Sequence, residues 1–250
     1  DHLVQAALAE AFEIEHHSVF QVSTSSALVE GVYQGCVDVA SLLNHGDFGL
    51  GTFDALDGEM IVLDGQCFQA RSDGSVVQAP ANELTPFAVV TRFTADDSAV
   101  IANVDDWQDL LLQLDTHRSS ENSFVGIRIS GVIDHLQLRA ACKSESGVDL
   151  VEATAHQAEF DFSDISGTLV GFWSPQFSGA VSIAGYHLHF ISDDRKHGGH
   201  VLSLAAKDLQ LELHRVNDLH VAIPETKEFL SAELRADNTE AIRTAEEARH

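Results

Sequence analysis

Three Asp-Gly steps cut residues 47–80 into short apolar or alternating runs: Asp57-Gly58, Asp64-Gly65 and Asp73-Gly74 separate DFGLGTF (47–53), EMIVLD (59–64), QCFQARS (66–72) and SVVQAP (75–80). Asp-Gly between such runs is a strong hairpin signal, because Gly supplies the positive φ of a primed turn. Punctuation of this kind commits the chain to antiparallel strands. Further strand patterns occur at 18–23, FAVVTRFT (87–94), GTLVGFW (167–173) and AGYHLHFIS (184–192). FVGIRI (124–129) and VIDHLQLRAAC (132–142) read as a strand pair around Ser130-Gly131, and residues 200–216 as a strand with a bend near Lys207. Helical spacing is confined to 1–16, 37–45 ending at Gly46, 105–115 with Asp105 as cap, and 224–234 opening on Pro224. Residues 25–35 carry no decisive period. The expected fold is a β-rich α+β protein with mixed sheets and few helices. It divides near residue 150 into an N-terminal mixed-sheet domain (1–150) and a C-terminal sheet domain (151–250).

The 250 residues suffice for one large domain or two small ones. Asp+Glu number 39 against 14 Lys+Arg, a net charge of −25 that argues against a nucleic-acid backbone or an anionic membrane surface as partner. No apolar run approaches the ~20 residues of a membrane-spanning helix. Cys36, Cys67 and Cys142 are too few and too scattered for a disulfide framework. The opening residues lack a signal-peptide pattern, so a cytoplasmic location and export after removal of an upstream signal both stay open.

Chemistry concentrates in GYHLHFISDDRKHGGH (185–200). His187 and His189 are two apart on a strand, so both imidazoles project from one face. A polar, Gly-ended turn follows, and His200 opens a strand that folds back beside the first. Three imidazoles of one hairpin can thus converge, and three protein ligands plus an open position is the catalytic zinc arrangement. His197 competes as third ligand, and Asp193 and Asp194 are either further ligands or solvated turn residues. An HxH with a later acid and His is shared with the cupin metal motif, but a cupin brings its last His from a distant strand. HExxH, GxGxxG, P-loop and GxSxG patterns are absent. Arg139, in the apolar run LQLRAAC, needs an anionic partner: a substrate carboxylate or an internal Asp or Glu.

HGDFGLGTFDALDGEMIVLDGQCFQ (45–69) resembles the N-terminal signature of α-acetolactate decarboxylases, and GYHLHFISDDRKHGGHVL (185–202) their zinc-binding hairpin. VFQVSTSSALVEGVYQG (19–35) and SGVIDHLQLRA fit as well. The resemblance implies decarboxylation of 2-acetolactate to acetoin and carbon dioxide. It implies a Zn2+ held by His187, His189 and His200, with Glu59, Arg139 and Glu246 as catalytic residues and Thr52 as a pocket residue. Glu247 is the neighbouring alternative to Glu246. The fold implied is two α/β domains, commonly a homodimer, with the tail 236–250 folding back over the site, although its composition alone reads as a frayed end. The chemistry agrees with these residue types. A Lewis acid stabilises the developing enediolate charge, Arg139 orients the carboxylate, and Glu59, Glu246 or Arg139 controls the proton. A metal hydrolase or cupin-like oxygenase using the same histidines is the competing reading, and a non-catalytic binding module is a third.

Overall fold

The Asp-Gly hairpins build one edge of a seven-stranded sheet. In a computed structural model of the protein, which describes residues 17–234 and 239–246, the strands run in two main sheets. The helix expected at 1–16 lies outside the described residues. In chain order the strands are β1 (Ser18–Val22), β2 (Val37–Asp38), β3 (Phe48–Thr52), β4 (Glu59–Leu63), β5 (Gln66–Ala70), β6 (Val76–Gln78), β7 (Leu84–Thr85) and β8 (Ala88–Thr91). They continue as β9 (Asp97–Val104), β10 (Phe124–Ala140), β11 (Ala158–Ser174), β12 (Gly185–Ser192), β13 (Gly198–Val216) and β14 (Asp218–Ala222).

The first sheet has the order β14-β1-β8-β3-β4-β5-β6, antiparallel except for β14 beside β1, and β2 pairs β7 as a separate ribbon. The second has the order β10-β11-β12-β13-β9, with β10 also paired to β13, so four of its strands close into a ring. The division expected near residue 150 falls between β10 and β11. The chain changes sheet between Thr91 and Asp97, and again between Val216 and Asp218.

Local chemistry accounts for most element ends. At the β4–β5 turn Asp64 and Gly65 have φ of 51° and 76°, the two positive values of a type I′ turn. The helices are α1 (Ser25–Val29), α2 (Val39–Leu43), α3 (Trp107–His117), α4 (Leu150–Ala153), α5 (Lys227–Ser231) and α6 (Thr239–Glu246). Asp106, not Asp105, caps α3, its carboxylate accepting from the Asp109 amide at 2.9 Å. Thr226 caps α5, so that helix starts three residues after Pro224. Residues 124–140 form one strand, not a hairpin, because Gly131 stays in the ladder opposite Gly167 and Leu209. β13 likewise runs through Lys207 as strand.

Both faces of the first sheet are covered, which is why β3 and β4 are buried at every position and read as unbroken apolar runs. Phe48, Leu50, Ile61 and Phe68 on one face meet Val170, Phe172 and Ile191 of the second sheet. On the other face Met60, Val62 and Val90 pack with Val39 and Leu42 of α2. Inside the ring of the second sheet Ile127, Leu138, Leu188, Phe190 and Leu204 pack with Leu110 and Leu114 of α3. Close approach of β11 to β12 depends on Gly171, where an added Cβ would stand 2.0 Å from the His187 carbonyl oxygen. Gly171→Ala is therefore expected to push β12 away and destabilise the protein by about 1–3 kcal/mol, the usual cost of overpacking. Urea unfolding monitored by circular dichroism checks this.

Candidate metal centre and active site

The centre grows from the hairpin between β12 and β13. His189 stands directly opposite His200, and His187 lies two residues back on the same face. On the far side of β13, Arg139 of β10 stands opposite His200. That pairing depends on a register shift between Gln137 and Leu138. Before it Gln137 faces Ser203, and after it Leu138 faces Val201, with Leu202 as the extra residue. Bulges of this kind re-aim side chains, and here the result is a row of Arg139, His200 and His189 across three strands. From the first sheet β4 contributes Glu59, and β3 contributes Thr52 opposite it.

The three imidazoles are buried, and their candidate ligand atoms lie within 4.8 Å of one another. The ring of His187 is inclined at 79° to His189 and 47° to His200, so the three converge instead of stacking. His187 Nε2 and His189 Nε2 are 3.1 Å apart. Two nitrogens bound to a tetrahedral zinc at ~2.0–2.1 Å would stand about 3.3 Å apart. His189 Nδ1 lies 2.8 Å from the Met60 carbonyl oxygen, which can only accept, so the proton sits on Nδ1 and Nε2 keeps its lone pair. Burial, and then the Arg139 charge, pushes His187 down to about 3 and keeps it a neutral ligand. The donor set therefore suits a metal ion.

Beside the cluster lies an ion pair. Glu59 Oε1 accepts from the Ala141 amide at 3.1 Å and is 3.5 Å from Arg139 Nη1. Glu59 Oε2 is 3.5 Å from His189 Nε2. Arg139 thus finds the internal carboxylate that its apolar strand requires. Thr52 donates its hydroxyl to the Gly58 carbonyl at 2.8 Å. Thr52, Glu59, Arg139 and His187 share a small chamber of about 30 Å3, walled by Leu28, Leu56, Phe87, Leu150 and Ile183. A larger cavity of about 670 Å3 meets the three imidazoles, among the described residues, at His200. The chamber is the candidate chemical site, because Glu59 and Arg139 line it with His187.

The structure also sorts the competing ligands. His197 packs its ring against Phe162 at 4.9 Å, away from the cluster. Asp194 accepts from the Ser192 hydroxyl and the Lys196 amide, which hold it below the usual carboxylate range, and Asp193 accepts from Ser166. Both are turn residues. Another group, His17, Asp96 and His214, brings ligand atoms close, but its imidazoles stack 9° from parallel, with each Nδ1 2.8 Å from a backbone carbonyl. Parallel rings do not aim lone pairs at one point.

The side chain of Glu246, and all of Glu247, lie outside the described residues. The backbone of Glu246 ends α6, whose Ile242 and Ala245 are buried against the chamber-wall residues Leu28, Leu56, Phe87 and Ile183. Residues 239–246, polar in composition, thus dock beside the chamber wall through Ile242 and Ala245. Sequence reasoning missed Ile183, Leu150, Thr154 and the Ala141 amide. Such groups of loops, strand ends and short helices carry no motif, and only the lining of the chamber identifies them.

Residues 19–236 match the sequence profile of the family described as Alpha-acetolactate decarboxylase. The chain is 41% identical over 233 residues to an Alpha-acetolactate decarboxylase of Methylococcus capsulatus, covering 93% of this chain and 90% of that protein. It is 39% identical to one of Methanosarcina mazei, covering 86% and 75%. The crystal structure of alpha-acetolactate decarboxylase from Bacillus subtilis strain 168 superposes with a TM-score of 0.88 at 34% identity, over 92% of this chain and 100% of that one. With the fold shared and most of its length matched, this chain belongs to the alpha-acetolactate decarboxylase family.

Proposed function

We propose that the chain is a zinc-dependent acetolactate decarboxylase, converting 2-acetolactate to acetoin and carbon dioxide. The observation that carries the reading is the convergence of three buried imidazoles beside the Glu59–Arg139 pair, with His187 lining the small chamber that this pair shares. Membership of the family makes the reaction a decarboxylation, and the zinc is supported by the donor set. His187, His189 and His200 would hold the ion with one position open, as catalytic zinc sites do. When bound, the ion supplies a Lewis-acid charge where the electron pair of the broken bond develops.

The chain's own residues do the rest. Arg139 presents a planar guanidinium to the substrate carboxylate and orients it. As the bond to that carboxylate breaks, carbon dioxide leaves, and the electron pair shifts toward the adjacent keto oxygen. Apolar walls at Leu28, Leu56, Phe87 and Leu150 lower the polarity around the carboxylate, which disfavours it relative to neutral carbon dioxide. Glu59, anchored at Oε1 by the Ala141 amide, presents Oε2 to the centre and can hold the proton that the product carbon takes up. Thr52, held by the Gly58 carbonyl, fixes the chamber floor. Glu246, on the docked α6, is the second carboxyl of the site.

His189→Ala is expected to lose bound metal in elemental analysis and to reduce acetoin formation to background in a colour assay. Full turnover by metal-free protein would refute the zinc role. Ending the chain after Asn238 removes α6 and is expected to cut turnover severely, and unchanged kinetics would exclude Glu246 from the site.

The His187 shift also sets a pH dependence. The unfolded chain protonates this group near 6.5, whereas the fold resists until about 3. Between those values the unfolded state binds the extra proton, so its share of stability is full above about 6.5 and declines as pH falls toward 3. Urea midpoints with chelator present are expected to drop from about pH 7.5 to about pH 5, where the unfolded state gains its proton.

A further inference from the structure

The inner chamber and the outer cavity share one lining residue among those described, Ile183. The outer cavity exists because β12 and β13 pair only from His189 to Ile191. Beyond that, β13 follows β10 while Gly185–Leu188 follow β11, and the strands part into a fork. Tyr186 and Leu188 line one bank, and His200 and Ser203 line the other. The inner chamber has about 30 Å3, and a water needs about 10–15 Å3 by the same measure. A five-carbon keto acid is larger than the chamber, and Ile183 is the lining residue through which the chamber adjoins the outer cavity, so a substrate extending in that direction meets Ile183.

Ile183 is held as a fixed wall. The loop before it is pinned by side chains that take no part in the chemistry. Ser25 and Ser26 donate their hydroxyls to the carbonyls of Gly179 and Ala180 at 2.8 and 2.7 Å. The amide of Gln21 donates to the Val181 carbonyl at 2.7 Å, and Gln21 Oε1 accepts from the Ser182 hydroxyl at 2.9 Å. The backbone amide of Ser25 adds a bond to Val181 at 2.8 Å. All four of these polar side chains are buried, and such a satisfied network gives an irregular loop a single position. Ile183 itself packs with Leu28, Leu56, Phe87 and Ile242.

We propose that Ile183 is the size-selecting residue of the substrate site. Its branched side chain limits the length of the alkyl group on the carbinol carbon, and the fork cavity has space for what passes it. The proposal rests on acetolactate being the substrate.

The test compares kcat/KM for carbon dioxide release from 2-hydroxy-3-keto acids bearing methyl, ethyl or propyl on carbon 2. The native enzyme is expected to favour methyl and to decline through propyl. Ile183→Ala is expected to raise the propyl-to-methyl ratio at least about 10-fold, since one methylene in an apolar pocket changes specificity by ~10–200-fold. Ile183→Val is expected to raise it less, in the same direction, and keeps most of the wall should the alanine variant fail to fold. A ratio within each variant cancels any loss of folded or metal-loaded enzyme. An unchanged ratio in the valine variant, or equal changes for all three compounds, would overturn the proposal. A native enzyme that releases no carbon dioxide from the methyl compound would overturn the decarboxylase reading instead.

Discussion

The row from Arg139 through His200 to His189 depends on strand register, and the rest of the centre depends on that row. Side chains of a strand alternate between faces, so a slip of one residue would send either histidine of the row to the opposite side. The extra residue at Leu202 brings the far end of β10 into step with the hairpin. Had the earlier register continued, Arg139 would stand opposite Val201. The irregularity is therefore the feature that puts a guanidinium beside the imidazoles. Gly199 serves the same alignment, since a Cβ there would meet the Arg139 carbonyl oxygen at 2.5 Å.

The centre joins two kinds of support. The histidines and Arg139 come from the second sheet, whereas Glu59 and Thr52 come from the first. The two sheets are locked by Phe48, Ile61, Phe172 and Ile191, which interdigitate directly behind the site. His189 is fixed from both directions: its strand partner is His200, and its ring nitrogen meets the Met60 carbonyl of the first sheet. Charge is arranged with similar economy. The chain carries a net −25, yet Arg139 is buried at the site beside the Glu59 carboxylate, a cation set where an anionic group can meet it.

The parts legible in the sequence were local. Alternation placed His187 and His189 on one face, and a tight polar turn returned His200 to them. The Asp-Gly steps marked the β4–β5 turn. Glu59 and Thr52 were found only through resemblance to a family, because a lone acid or threonine at a strand end has no signature of its own, whereas Arg139 stood out as a charge in an apolar run and drew its role from the resemblance. The hairpin expected at Ser130-Gly131 is a continuous strand, since Gly is as compatible with an uninterrupted ladder as with a turn and only the partners on both sides decide. The fork between β12 and β13, the pinned loop before Ile183 and the docking of α6 arise from contacts between distant segments. No period or spacing in a single sequence encodes them.

The placement of β14 has a bearing on how the molecule assembles. This strand adds in parallel to β1 some two hundred positions after it, and until it does so β1 is an open margin of the first sheet. The N-terminal layer therefore cannot be completed while the ribosome is still making the ring of long strands. Such distant pairing slows folding and leaves a sticky border exposed meanwhile. Maturation of this protein is thus a cyclic closure, in which one of the last strands synthesised seals the first.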